Sequence, residues 1–136
     1  MTSEHHIVLV VDDDPGIRGL LVEILSEEGF GVTSVGDGEQ ALRWLRAHPG
    51  DACVVLLDLM MPVMGGLEFL EIKENEAAIA DVPVVIITAS GDGAAAVRGH
   101  RIHAYLPKPF SILDLLAAVE SCRTDASPSC PPALAA

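Results

Sequence analysis

The sequence predicts an α/β fold in which a five-stranded parallel sheet is covered by helices on both faces. Two observations carry this. The first is a series of apolar, β-branched runs: Ile7 to Val11, Ala52 to Leu57 and Val82 to Ile87, with a weaker Val32 to Val35 and a short His103 to Leu106. The three strong runs do not alternate with polar residues, so each is expected to be buried on both faces, as strands of a parallel sheet are. The second is that helical patterns lie between the runs. Strand and helix alternating five times gives parallel pairing with right-handed crossovers.

Each helix has its own signals. Asp14 is a good N-cap and Pro15 suits the first helical position. Ile17, Leu20, Leu21, Ile24 and Leu25 follow helical spacing, and Gly29 ends the helix. Glu39 to Ala47 is the second helix, with Ala41, Leu42 and Leu45 inward, and Leu67 to Glu74 is the third. Ser111 caps a last helix whose inner face is Ile112, Leu115, Leu116 and Val119. Between the fourth and fifth strands, Ala94 to Arg101 is a short helix at best, because Gly91, Gly93 and Gly99 surround or interrupt it. From Thr124 onward the chain loses periodicity and is expected to be a flexible tail.

Length and composition narrow the function. The 136 residues are one domain's worth, and 50% hydrophobic residues exclude a disordered chain. Twenty acidic and eight basic residues give a net charge of −12, which argues against direct contact with nucleic-acid phosphates or anionic membranes. Cys53, Cys122 and Cys130 lack a disulfide framework and read as free thiols. No apolar run approaches a membrane span and no N-terminal signal pattern is present, so a cytoplasmic domain is expected.

Open α/β sheets bind ligands beyond the carboxyl ends of their strands. Asp12, Asp13 and Asp14 follow the first strong run, Asp58 the next, Thr88 and Ala89 the third, and Lys108 the last. Singly, each has a bland reading: a helix cap, a loop acid, a strand-end hydroxyl, a solvated lysine. Together, after four different strands, they point to one site. Clustered carboxylates repel and call for a cation. An all-oxygen set suits Mg²⁺, which uses one or two carboxylates together with phosphate oxygens. A carboxylate can be a nucleophile toward phosphorus, with Lys108 and Thr88 contacting phosphoryl oxygens. The residues therefore read as a Mg²⁺-dependent site that carries phosphate on an aspartate.

The segments Val10 to Pro15, Leu57 to Gly66, Ile87 to Ala89 and Tyr105 to Phe110 make the chain resemble the receiver domain of bacterial two-component response regulators, over residues 5–123, with 124–136 as the tail. The resemblance implies a doubly wound, flavodoxin-like strand order 2-1-3-4-5. It implies Asp58 as phosphoacceptor, Mg²⁺ held by Asp12, Asp13, Asp58 and the Met60 carbonyl, Thr88 and Lys108 on the phosphoryl group, and Thr88 with Tyr105 as the switch. Met60 and Ser90 stand where the family tunes phosphate lifetime. It further implies a histidine kinase or phosphotransfer protein as donor, a downstream protein partner, and a monomer or weak dimer. Such a domain assists its own phosphorylation without turning over external substrates. The spacing of 20 residues from Thr88 to Lys108 is shorter than the family's, and Arg101 to Ala104 replaces its usual step into the last strand. The fourth helix is expected to be short or irregular, and the usual output face is altered.

Other patterns are set aside. Gly36 to Ala41 and Gly91 to Ala96 fit a dinucleotide fingerprint, but each would place an aspartate against a pyrophosphate, and turn chemistry explains both. His5, His6, His48, His100 and His103 lack metal-site spacing. Trp44 and Phe69 read as core or helix-flank residues, Cys53 as packing, and Glu68 to Glu76 as a solvated helix face. A competing enzyme reading makes Asp12 the nucleophile of a small phosphatase with Asp14 as acid, but Gly16 departs from that family's pattern and no cap domain is present. A third reading is a receiver that only docks, without phosphorylation. With no output domain in the sequence, protein contact or phosphoryl relay is the expected output.

Overall fold

The computed structural model describes residues 7–59, 64–88, 95 and 97–124. Five strands, β1 (Ile7–Val11), β2 (Gly31–Val35), β3 (Ala52–Asp58), β4 (Val84–Thr88) and β5 (Ala104–Pro107), form one sheet in the order β2-β1-β3-β4-β5. Every pairing is parallel. Four helices are described: α1 (Pro15–Glu27), α2 (Gly38–Ala47), α3 (Gly66–Glu74) and α4 (Ile112–Thr124). The strand order is the one the resemblance implied.

The two faces of the sheet have separate cores, set by the two-residue period of the strands. Leu9, Val11, Val55, Leu57, Val84 and Ile86 pack with Ala41, Leu42 and Leu45 of α2 and Phe69 and Leu70 of α3. Val8, Val10, Val54, Leu56, Val85 and Ile87 pack with Leu21 and Leu25 of α1 and Leu115 and Val119 of α4. β3 and β4 are buried throughout and β1 nearly so, whereas edge strand β2 is only half-buried, which accounts for its weaker apolar run.

The expected caps are in place. Asp14 Oδ1 accepts from the Gly16 and Ile17 amides at 2.9 and 3.4 Å, with Pro15 opening α1. Asp37 caps α2 through the Gln40 amide, so the Gly36 to Ala41 pattern is a turn and helix start. At α4 the Asp114 amide donates to Ser111 Oγ (3.0 Å) while Asp114 Oδ2 accepts from the Ser111 amide. β4 starts two residues later than the apolar run. Pro83 has no N–H for the ladder, and Val82 donates instead to Ile79 O in the preceding turn.

The Ala94 to Arg101 segment is described only in part. Residues 97–100 lie in turns and a bend rather than a helix, with Gly99 at φ 91°. The dinucleotide-like residues 91–94 and 96, Met60, Ala89, Ser90, His5, His6, Cys130 and the tail 125–136 lie outside the described residues. Among the described cysteines, Cys53 and Cys122 are buried and not disulfide-bonded.

The Glu68 to Glu76 stretch is not simply solvated. Glu68 and Glu71 are exposed, but Lys73 is 1% exposed, and its ammonium donates to Ala80 O at 2.9 Å. Burial, with a smaller push from the Arg101 guanidinium, lowers its pKa from 10.5 to about 8. Glu74 accepts from the Arg101 amide (2.7 Å) and meets His100 Nδ1 at 3.1 Å. Sequence reading missed this because a lysine's long apolar stem can enter a core that its charge would suggest it avoids.

Candidate phosphoryl-transfer site

The sheet brings three carboxylates from two strands together. Asp12 follows β1, and Asp58 is the last residue of its neighbour β3. Ligand oxygens of Asp12, Asp13 and Asp58 all lie within 4.8 Å of one another. Asp12 and Asp58 are buried, at 3% and 7% exposure, and Asp13 is exposed. Clustered oxygen ligands with one side open to solvent fit a hard divalent cation.

Local structure holds Asp12 in place. Its Oδ1 accepts from the Asp14 amide (2.9 Å) and its carbonyl from Arg18 Nη1 (2.7 Å). The Asp12 amide itself donates to Val35 O of β2 (3.2 Å). Arg18 was not singled out from sequence. Its signal was its place one turn into α1, from which a guanidinium can reach back to the loop that the helix follows. Asp14 caps α1 through its Oδ1, the helix-cap reading the sequence offered for it.

Lys108 enters from the other side of the switch in strand order. Its ammonium is half-buried and stands 3.9 Å from Asp12 Oδ2. Its backbone amide donates to Thr88 O (2.9 Å), so the ends of β4 and β5 are held together. Thr88 is fully buried and closes β4. It continues the Val84 and Ile86 row, and Tyr105 packs against the core on that same face. Thr88 and Tyr105 therefore share a sheet face, the arrangement a coupled pair needs. Met60 lies outside the described residues.

A family model described as the response regulator receiver domain matches residues 8–120. The chain belongs to the response regulator receiver family. The DNA-binding response regulator MtrA of Mycolicibacterium smegmatis is 39% identical over 123 residues, covering 89% of this chain and 52% of MtrA. The receiver thus spans about half the length of the curated relatives it matches. Among solved structures, the response regulator TrrA of Thermotoga maritima, in complex with Mg²⁺-BeF, is 32% identical, with a TM-score of 0.74 over 86% of this chain and 98% of TrrA. The receiver domain of the Pseudomonas aeruginosa sensor histidine kinase PA1611, which has a magnesium ion coordinated in its active-site cleft, is 26% identical, with a TM-score of 0.77 over 85% of this chain and 95% of that domain.

Around the receiver site, a groove of about 580 Å³ opens between α1 and α4. Lys108 and Phe110 line it, as do Leu20 and Ile112, which are 56% and 54% exposed. No described helix is long and apolar enough to cross a membrane.

Proposed function

We propose that Asp58 accepts a phosphoryl group from a phosphohistidine on a histidine kinase or phosphotransfer protein, in a Mg²⁺-dependent reaction. The observation that carries this is the convergence of Asp12, Asp13 and Asp58 within 4.8 Å, with Lys108 beside them. An Asp58 carboxylate oxygen attacks phosphorus, the phosphorus–nitrogen bond of the donor breaks, and an acyl phosphate forms. Asp12, Asp13, Asp58 and the Met60 carbonyl would hold Mg²⁺. When bound, it supplies charge neutralisation for the transferring phosphoryl group. Lys108 contributes a point charge to one phosphoryl oxygen, and the Thr88 hydroxyl donates to another. Thr88 moving toward the new phosphate draws Tyr105 inward on the shared face, shifting a two-state equilibrium that a protein partner reads.

The domain assists this transfer and the later hydrolysis without turning over external substrates. The groove between α1 and α4 shares Lys108 with the site, so a donor helix seated there would lie beside the residue that contacts the phosphoryl group. Phosphoramidate with Mg²⁺ tests the reading: intact-mass analysis is expected to show one added phosphoryl group, lost with EDTA and lost in Asp58→Asn. Equal labelling of wild type and Asp58→Asn would overturn it.

A further inference from the structure

We propose that Met64 is a redox-modification site: its oxidation by hydroperoxides to the sulfoxide releases the start of α2 from the segment between β3 and α3. The consequence drawn for Mg²⁺ rests on the reading of Asp58 given above. The local event does not.

Leu59, Met64 and Gly66, between Asp58 and the start of α3, are held by two backbone hydrogen bonds. The Gly66 amide donates to Leu59 O (3.1 Å), and a Cβ on Gly66 would lie 2.8 Å from Leu59 Cα. The Gly38 amide, at the first residue of α2, donates to Met64 O (3.2 Å). A Cβ on Gly38 would lie 2.9 Å from Met64 Cγ and 3.0 Å from Sδ. The thioether is thus laid directly on the helix start, so that a side chain at position 38 would have to displace it. Met64 is half-buried and packs against the α2 and α3 side of the core, so its environment is apolar yet a small oxidant has access.

The chemistry is a two-electron oxygen transfer. A sulfur lone pair attacks the terminal peroxide oxygen, the O–O bond breaks, an S=O bond forms, and the other oxygen leaves as water or an alcohol after taking up the proton. The new oxygen is a strong acceptor that has to stay solvated. Gly38 and the core surface leave it no room on the packed side, so the side chain turns outward. With it goes the thioether contact against Gly38 at the α2 start.

Three of the four methionines lie at positions 60, 61 and 64, so the test must isolate Met64. Wild type and Met64→Leu are treated with hydrogen peroxide, sulfoxides are mapped by peptide mass spectrometry, and Gly38 amide exchange and Mg²⁺ affinity are measured. In wild type, Met64 sulfoxide is expected to form, Gly38 protection to be lost, and Mg²⁺ affinity to fall about 10-fold, the size of outer-shell effects at metal sites. Methionine sulfoxide reductases should reverse all three, and Met64→Leu should show neither loss. Met64→Gln, with its fold checked by circular dichroism, should lose Gly38 protection without oxidant. Failure of Met64 to oxidise, unchanged Gly38 exchange in the sulfoxide form, or equal losses in Met64→Leu would overturn the proposal. Failure of the untreated protein to bind Mg²⁺ would count against the phosphoacceptor reading instead, and Gly38 exchange would still decide the role of Met64.

Discussion

The two ends of the sheet treat charge in opposite ways. At the carboxyl end, like charges are gathered: Asp12, Asp13 and Asp58 converge, with Lys108 at the outer limit of an ion pair. At the other end, opposite charges are matched within the chain. Glu74 holds His100 and the Arg101 amide, Asp81 pairs with Arg101 at 3.0 Å, and Glu76 pairs with Arg46 at 2.8 Å. Even buried Lys73 has a carbonyl to donate to. One end satisfies itself. The other gathers carboxylate oxygens of the kind that suits a hard divalent cation.

Substitutions can break this contrast. The largest effect is expected on metal binding: Asp13→Asn should weaken Mg²⁺ affinity about 100-fold by titration. Mg²⁺ should raise the melting temperature of wild type by mass action and leave the variant nearly unchanged. Gly66→Ala places a Cβ against the Leu59 backbone, which cannot yield cheaply. Overpacking of this kind should cost about 1–3 kcal/mol in denaturant unfolding, and phosphorylation at Asp58 should fall with it.

The base is sharpened by pH. Lys73 has a folded pKa of about 8, below its ordinary 10.5. The unfolded chain therefore binds more protons between those values, and stability should rise with pH across that window. The shift sets an upper bound of about 3 kcal/mol, which Lys73→Met should remove from the pH profile. The smallest effect belongs to Arg101→Ala. Its pair with Asp81 is 60% and 64% exposed and should be worth less than about 1 kcal/mol. Because Arg101 also pushes the Lys73 pKa down, its loss should move the alkaline transition upward, with Asp58 phosphorylation unaffected.

Much of the site was legible because its residues interrupt or follow long apolar runs. Asp12, Asp58 and Lys108 stand out where Val8 to Val11, Val54 to Leu57 and Leu106 lead to them, and Asp14 and Ser111 announced the helices they cap. What could not be read were contacts between segments distant in sequence. Lys73 looked solvated because Glu68, Glu71, Glu74 and Glu76 surround it in sequence, yet the turn at Ala80 receives its ammonium. The role of Gly38 was hidden because its partner, Met64, lies 26 positions away. Pro83 was present in the sequence, but its effect on where β4 begins depended on which strand needed its N–H.

By itself the sequence determined the class of fold, the carboxylates and lysine that stand at strand ends and most helix boundaries, since periodicity, capping and residue type at strand ends are local properties of the chain. Tertiary structure decided that the three carboxylates share one volume, that Thr88 and Tyr105 share a face, and that the α2 start rests on Met64. Those outcomes depend on strand order and on how two cores close over one sheet, and no local pattern encodes them.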